Sequence, residues 1–252
     1  MDFNPHNTAS QFTTKLSEAV ELEGDWEVGL LETSFPGKVE NVGKGTHYYV
    51  LRKTDDALVK CAMRSGIYSS IQQVVTELRR IGRRYQGGVS VPVVNWEYSP
   101  RNQRIGFEFN GNHANDVVSL WFNSDLATML GYSENRQYAY RNTPNKAERP
   151  MNFSAGFDNI FIYCDVLESV LVGDTKTPLL RIVNRKTDVG QSHHSLEHVA
   201  FNPVQYVPLQ KKCFDTVTIH LMTDHGEPMP FAPGKSIVVL EFRRSAHPYL
   251  ML

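Results

Sequence analysis

In the stretch Asp25-Trp-Glu-Val-Gly-Leu-Leu31, Trp26, Val28 and Leu30 fall on one side of an extended chain and Glu27 and Gly29 on the other. A repeat of two residues is the signature of a strand with one buried face, and a helix cannot gather those positions on one side. Trp26, Val28 and Leu30 are therefore the expected core stripe. The same reading applies to residues 11–16, where Phe12, Thr14 and Leu16 alternate, and to residues 214–222, where Val217, Ile219 and Leu221 do. Polar turn residues Thr54 to Asp56 separate the apolar runs 48–53 and 57–63, and residues 99–103 separate 93–98 from 104–110, so two hairpins are expected. Further strands are expected over 160–167, 179–183 and 236–243. No alternation of strand with crossover helix is present, which excludes a parallel α/β sheet.

Two helices interrupt this pattern. From Ile71, the side chains Val74, Val75, Leu78, Ile81 and Tyr85 share one helical face, while Arg79, Arg80, Arg83 and Arg84 lie opposite. Ser69 and Ser70 each precede a glutamine by three residues, the spacing of a capping box. The second helix is expected near 124–131, with Ser124 as N-cap and Gly131 closing it. Polar residues 133–149 read as an exposed loop.

A chain of 252 residues with 41% hydrophobic and 21% charged residues suits a globular fold and excludes collagen-like and disordered classes. With 26 Lys plus Arg against 27 Asp plus Glu, no global field attracts nucleic acid or an anionic membrane. The apolar runs are too short to span a bilayer, and the first residues lack the basic and apolar regions of a secretion signal. Cys61, Cys164 and Cys213 are odd in number and far apart, which argues against a disulfide framework. A reducing compartment is expected, with each thiol packed as a small hydrophobe.

No nucleophile elbow, phosphate-binding loop or dinucleotide fingerprint is present, so no enzyme, cofactor or catalytic residue is expected. His193, His194 and His198 lack the His-Glu-x-x-His order of a zinc site and read as a polar loop. Arg79, Arg80, Arg83 and Arg84 carry three readings: local binding of nucleic acid, pairing with a partner's carboxylates across a subunit or capsid interface, or complementing the carbonyl end of their own helix; the neutral chain favours the last. The whole is an all-β sandwich, one domain over residues 1–252, with two short helices in the inter-strand insertions. Pattern alone also fits a lectin-like carbohydrate-binding module or a trimeric cytokine-like ligand.

Three segments resemble the penton, or minor capsid, proteins of Polinton (Maverick) elements and adintoviruses. The first is Asn7-Thr-Ala-Ser-Gln-Phe-Thr-Thr-Lys-Leu16 with the run from Leu22 to Pro36. The second runs from Ile162 to Asp174 with Pro178 to Val183, and the third joins Gln205 to Leu209, Phe214 to Ile219, Asp224 to Phe231 and Gly234 to Arg243. The resemblance implies a single jelly roll of two four-stranded antiparallel sheets in the virion capsid. It also implies a homopentamer at the five-fold vertices and a double-jelly-roll major capsid protein as neighbour. Members of that family carry a further stretch before the Asn7 segment, a departure that bears on any arm tethering the vertex.

The histidine reading generates a test. Protein purified without a histidine tag is expected to hold no stoichiometric zinc, and a chelator to leave its melting curve in place; zinc bound at one equivalent would reopen metal chemistry.

Overall fold

The structure is a computed structural model and describes residues 5–52, 58–86, 89–92, 94–110, 117–139, 144–152, 158–185 and 196–245. The turn Thr54 to Asp56 and the side chains of His193 and His194 lie outside these residues. Where the sequence reads as one domain, the chain divides into two compact units: Met1–Val39, Phe157–Lys186 and Ser192–Leu252 form unit 1, and Glu40–Gly156 with Thr187–Gln191 forms unit 2.

Unit 1 opens with β1 (Gln11–Glu21) and β2 (Trp26–Pro36). Unit 2 follows with β3 (His47–Arg52), β4 (Leu58–Ala62), α1 (Ile71–Ile81), β5 (Arg83–Gln86), β6 (Val89–Pro92), β7 (Val94–Ser99), β8 (Arg104–Phe109), β9 (Val117–Phe122), α2 (Ser124–Leu130), β10 (Tyr138–Ala139) and β11 (Asn145–Lys146). The chain returns to unit 1 through β12 (Asn159–Cys164), β13 (Val170–Val172), β14 (Thr175–Thr177), β15 (Leu179–Asn184), β16 (Leu196–Ala200), β17 (Tyr206–Pro208), β18 (Cys213–Met222) and β19 (Ile237–Arg244). Among the described residues all strand pairing is antiparallel.

Unit 1 is the jelly-roll sandwich. One four-stranded sheet runs β1-β18-β12-β15; in the other, β2 has β16 and β17 along one edge and β19 along the opposite edge. β1 thus pairs with distant β18 and not with its successor in sequence, because β1 and β2 belong to opposite sheets. The inner faces meet in one core, with Val28, Leu30 and Phe35 of β2 against Ile160, Ile162, Cys164, Val217, Ile219 and Leu221. Phe214 and Phe242 stack at 6.1 Å between ring centroids, tying β18 to β19.

A bulge in β2 resets its alternation. Leu240 faces Leu30 and Val239 faces Glu32, so Leu31 is the extra residue. Val28 and Leu30 point inward before it, Thr33 and Phe35 after it, and Glu32 is turned to the outer face. Trp26 departs from the expected stripe. It is half-buried at the rim of this core, with its indole N–H donating to the Glu23 carbonyl at 3.0 Å.

Unit 2 is built on a buried aromatic cluster that includes Tyr48, Trp96, Phe107, Phe122, Tyr132 and Tyr138. Its sheets run β10-β9-β3-β4, β11-β8-β7 and β5-β6, and the two expected hairpins are β3-β4 and β7-β8. The stretch 133–149 is more than an exposed loop: its described residues include β10 and β11, with Tyr138, Asn145 and Ala147 buried. α2 is N-capped by Asn123, one residue before the expected Ser124, and closes on Gly131 at φ 80°, with the Tyr132 N–H reaching the Ala127 carbonyl. Cys61 packs against this cluster and Cys164 lies in the unit 1 core, whereas Cys213 is exposed at the start of β18. Among the described residues no helix is long and apolar enough to cross a membrane.

Burial ranks the expected core residues. Leu30, 2% exposed, is expected to lose about 2–5 kcal/mol of stability on Leu30→Ala, and Trp26→Ala to cost less than the ~3–5 kcal/mol of a fully buried tryptophan. Chemical denaturation showing the larger loss for Trp26→Ala would contradict this order.

Candidate assembly surface

The arginines singled out by sequence are divided between α1 and the strand that follows it. α1 begins at Ser70, whose hydroxyl accepts from the Gln73 N–H at 3.3 Å, while Gln73 Oε1 accepts from the Ser69 N–H at 2.8 Å. It ends at Ile81 with Gly82 as C-cap, so Tyr85 and both Arg83 and Arg84 belong to strand β5. Arg79 reaches across to β7, donating through Nε at 3.1 Å and Nη2 at 2.7 Å to the Trp96 carbonyl. Arg80 makes a two-pronged pair with Glu77, both contacts at 2.7 Å. Arg79 and Arg80 therefore fasten unit 2 internally, and Arg83 is exposed.

The outer face of the β16-β2-β19 sheet has two unlike ends. At the Glu27 end, Arg243 Nε donates to Glu27 Oε2 at 2.9 Å, the Arg243 guanidinium lies 3.4 Å from the Tyr206 ring centre, and the Tyr206 hydroxyl donates to Glu241 Oε2 at 2.7 Å. Gly29 makes this network possible: Tyr206 and Glu241 face it from either side, and a Cβ there would stand 2.4 Å from Val204 Cγ1 and 2.9 Å from the Gln205 carbonyl. The far end mixes exposed apolar side chains with polar ones. Leu196, Val239 and, at 58% exposure, Ile237 stand out around Glu32 and Ser34. His198 sits among them, its Nδ1 3.0 Å from the Ser34 hydroxyl.

A second apolar feature of unit 1 is the β13-β14 hairpin, which carries Leu171 at 70% exposure beside Val170. In unit 2, Leu58 and Val59 are exposed on β4, at the edge of its sheet. Sequence reasoning missed these surfaces. The available signal was the loss of alternation in Ile237-Val-Val-Leu240 and Val170-Leu-Val172, where apolar residues occupy both faces of a strand.

No protein-family model and no curated protein matches the chain. Among solved structures, the mavirus penton protein aligns over 93% of this chain and 91% of its own length, at 13% identity and a TM-score of 0.52. The fold is that of the mavirus penton protein. A chain of the Sputnik virophage structure also aligns, over 96% of this chain and 95% of that one, at 10% identity and a TM-score of 0.45. The penton likeness spans both units, so the long insertion that forms unit 2 is included in the shared architecture.

Within that penton-like fold, the pairing of Glu77 is open to titration. Its carboxylate accepts from Arg80 and from the Arg64 N–H at 3.1 Å, and chiefly the Arg80 bond holds it below the usual carboxylate range. A depressed value stabilises the fold above the ordinary carboxylate pKa of about 4.3, and that contribution is lost as pH falls through the lowered value. Glu77→Gln is expected to cost about 1–3 kcal/mol at neutral pH and to flatten the acid limb of the melting temperature between pH 5 and pH 3. An acid limb unchanged in the variant would contradict the assignment.

Proposed function

We propose that this chain is the penton subunit of an icosahedral virus-like particle, a structural capsid protein and not an enzyme. Five copies close a ring at each five-fold vertex, beside a double-jelly-roll major capsid protein, in the virion of a Polinton, Maverick or adintovirus type of element. The observation that carries the reading is the end-to-end likeness to the mavirus penton protein, which takes in unit 1 and unit 2 together. A generic carbohydrate-binding or cytokine-like sandwich accounts for unit 1 but leaves the inserted unit without explanation. Three free cysteines suit manufacture in a reducing compartment before packaging.

A vertex ring sets a physical requirement. Rotation by a fifth of a turn never brings a patch onto itself, so each subunit must offer two different patches that fit one another. Unit 1 does offer unlike surfaces, the outer face of β16-β2-β19 and the β13-β14 hairpin.

Light scattering across a range of protein concentrations is expected to find a species of about 143 kDa, five times the 28.6 kDa chain, as a closed ring requires. A stable trimer or two-fold dimer would overturn the vertex assignment.

A further inference from the structure

We propose that the β13-β14 hairpin of one copy docks on the outer face of β2 and β19 in the next copy, with Leu171 against Val239 and Lys176 against Glu32. This rests on the vertex reading above and supplies the contact that closes the ring.

Register makes the two surfaces complementary. Leu171 faces Lys176 across the hairpin, so the apolar and cationic side chains share one face. Val239 faces Glu32 across β19 and β2, so an apolar and an anionic side chain likewise share one face, with Ala200 next to Glu32 on the other side. Opposed residues in an antiparallel pair stand about 5 Å apart, and the two pairs therefore have the same spacing. Among the described residues neither Lys176 nor Glu32 has an ion-pair partner, and the β2 bulge is what turns Glu32 outward. Apolar anchors with a charge of opposite sign beside each give both affinity and register.

Reach excludes the same chain as occupant. The hairpin departs where the Glu168 N–H donates to the Pro208 carbonyl at 3.0 Å, and Pro208 faces Glu27 on β2. From the Glu27 row to the Glu32 row is about 14 Å, four steps along β19 at strand rise, whereas Glu168 to Leu171 spans at most about 10 Å, and in its own chain Leu171 stays 70% exposed. The partner is therefore another copy. Because hairpin and sheet face are different surfaces, the contact is heterologous, as a ring demands.

The test is disulfide trapping of Leu171→Cys with Val239→Cys in a Cys213→Ser background, alongside the native mass of the parent protein. Both engineered positions are exposed, and bridging requires Cβ atoms about 3.5–4.5 Å apart. The expected result is a covalent ladder ending at five chains, formed at least tenfold more slowly with Lys176→Glu and restored when Glu32→Lys is added. A ladder ending at another number keeps the contact and overturns the five-fold reading. A native pentamer that does not cross-link keeps the five-fold reading and overturns the contact. Cross-linking indifferent to Lys176→Glu overturns the charge pairing, and a monomer that does not cross-link overturns both.

Discussion

Strand β2 has to satisfy two edges and two faces at once, and the rest of unit 1 follows from how it does so. Its edges are met by β16 and β17 on one side and β19 on the other, which leaves its backbone donors and acceptors paired along most of its length. Its inner face supplies Val28, Leu30 and Phe35, each at most 2% exposed, to the core. Its outer face is shaped by two irregularities. Gly29 lets Tyr206 close over the strand to meet Glu241 and Arg243, and the extra residue at Leu31 sends Glu32 outward. A regular strand of the same length would carry Glu32 toward the apolar core, where an unpaired carboxylate is strongly disfavoured.

Unit 2 uses its charges in a different way. The aromatic cluster around Phe107, Phe122 and Tyr132 supplies its core, and α1 is held beside β7 by the Arg79 bonds to the Trp96 carbonyl. Hydrogen bonds from a guanidinium are directional and charge-assisted, so these contacts fix where each arginine lies on α1. The arginine-rich segment thus serves the unit's own architecture at Arg79 and Arg80. Exposed apolar residues occur in both units, at Leu171, Leu196 and Ile237 in unit 1 and at Leu58 and Val59 in unit 2.

Much of this was legible in the sequence because strand periodicity is local. The stripe Val28 and Leu30, the hairpins β3-β4 and β7-β8, and the start of α1 at the Ser69 and Ser70 pair are all visible in short windows. What failed was non-local. The helical period carried on through Tyr85 on paper, yet Gly82 ends α1, and β5 takes the following residues into a hairpin with β6. The pairing of β1 with β18 spans most of the chain, and no local pattern encodes it. Trp26 has the right phase for the core but sits at the first residue of β2, where the sandwich opens to solvent. The exposed apolar residues were invisible for a related reason, since exposure of Leu171 or Ile237 is a property of the assembled sheets, not of the residues.

A vertex protein is defined by where it sits in a particle. Electron cryo-microscopy of particles that contain it tests this most directly. Density is expected for five copies around each five-fold axis, with the β13-β14 hairpin of every copy lying against β19 of its neighbour. Density for this chain confined to the facets, or a vertex ring closed through the arginines of α1, would contradict it.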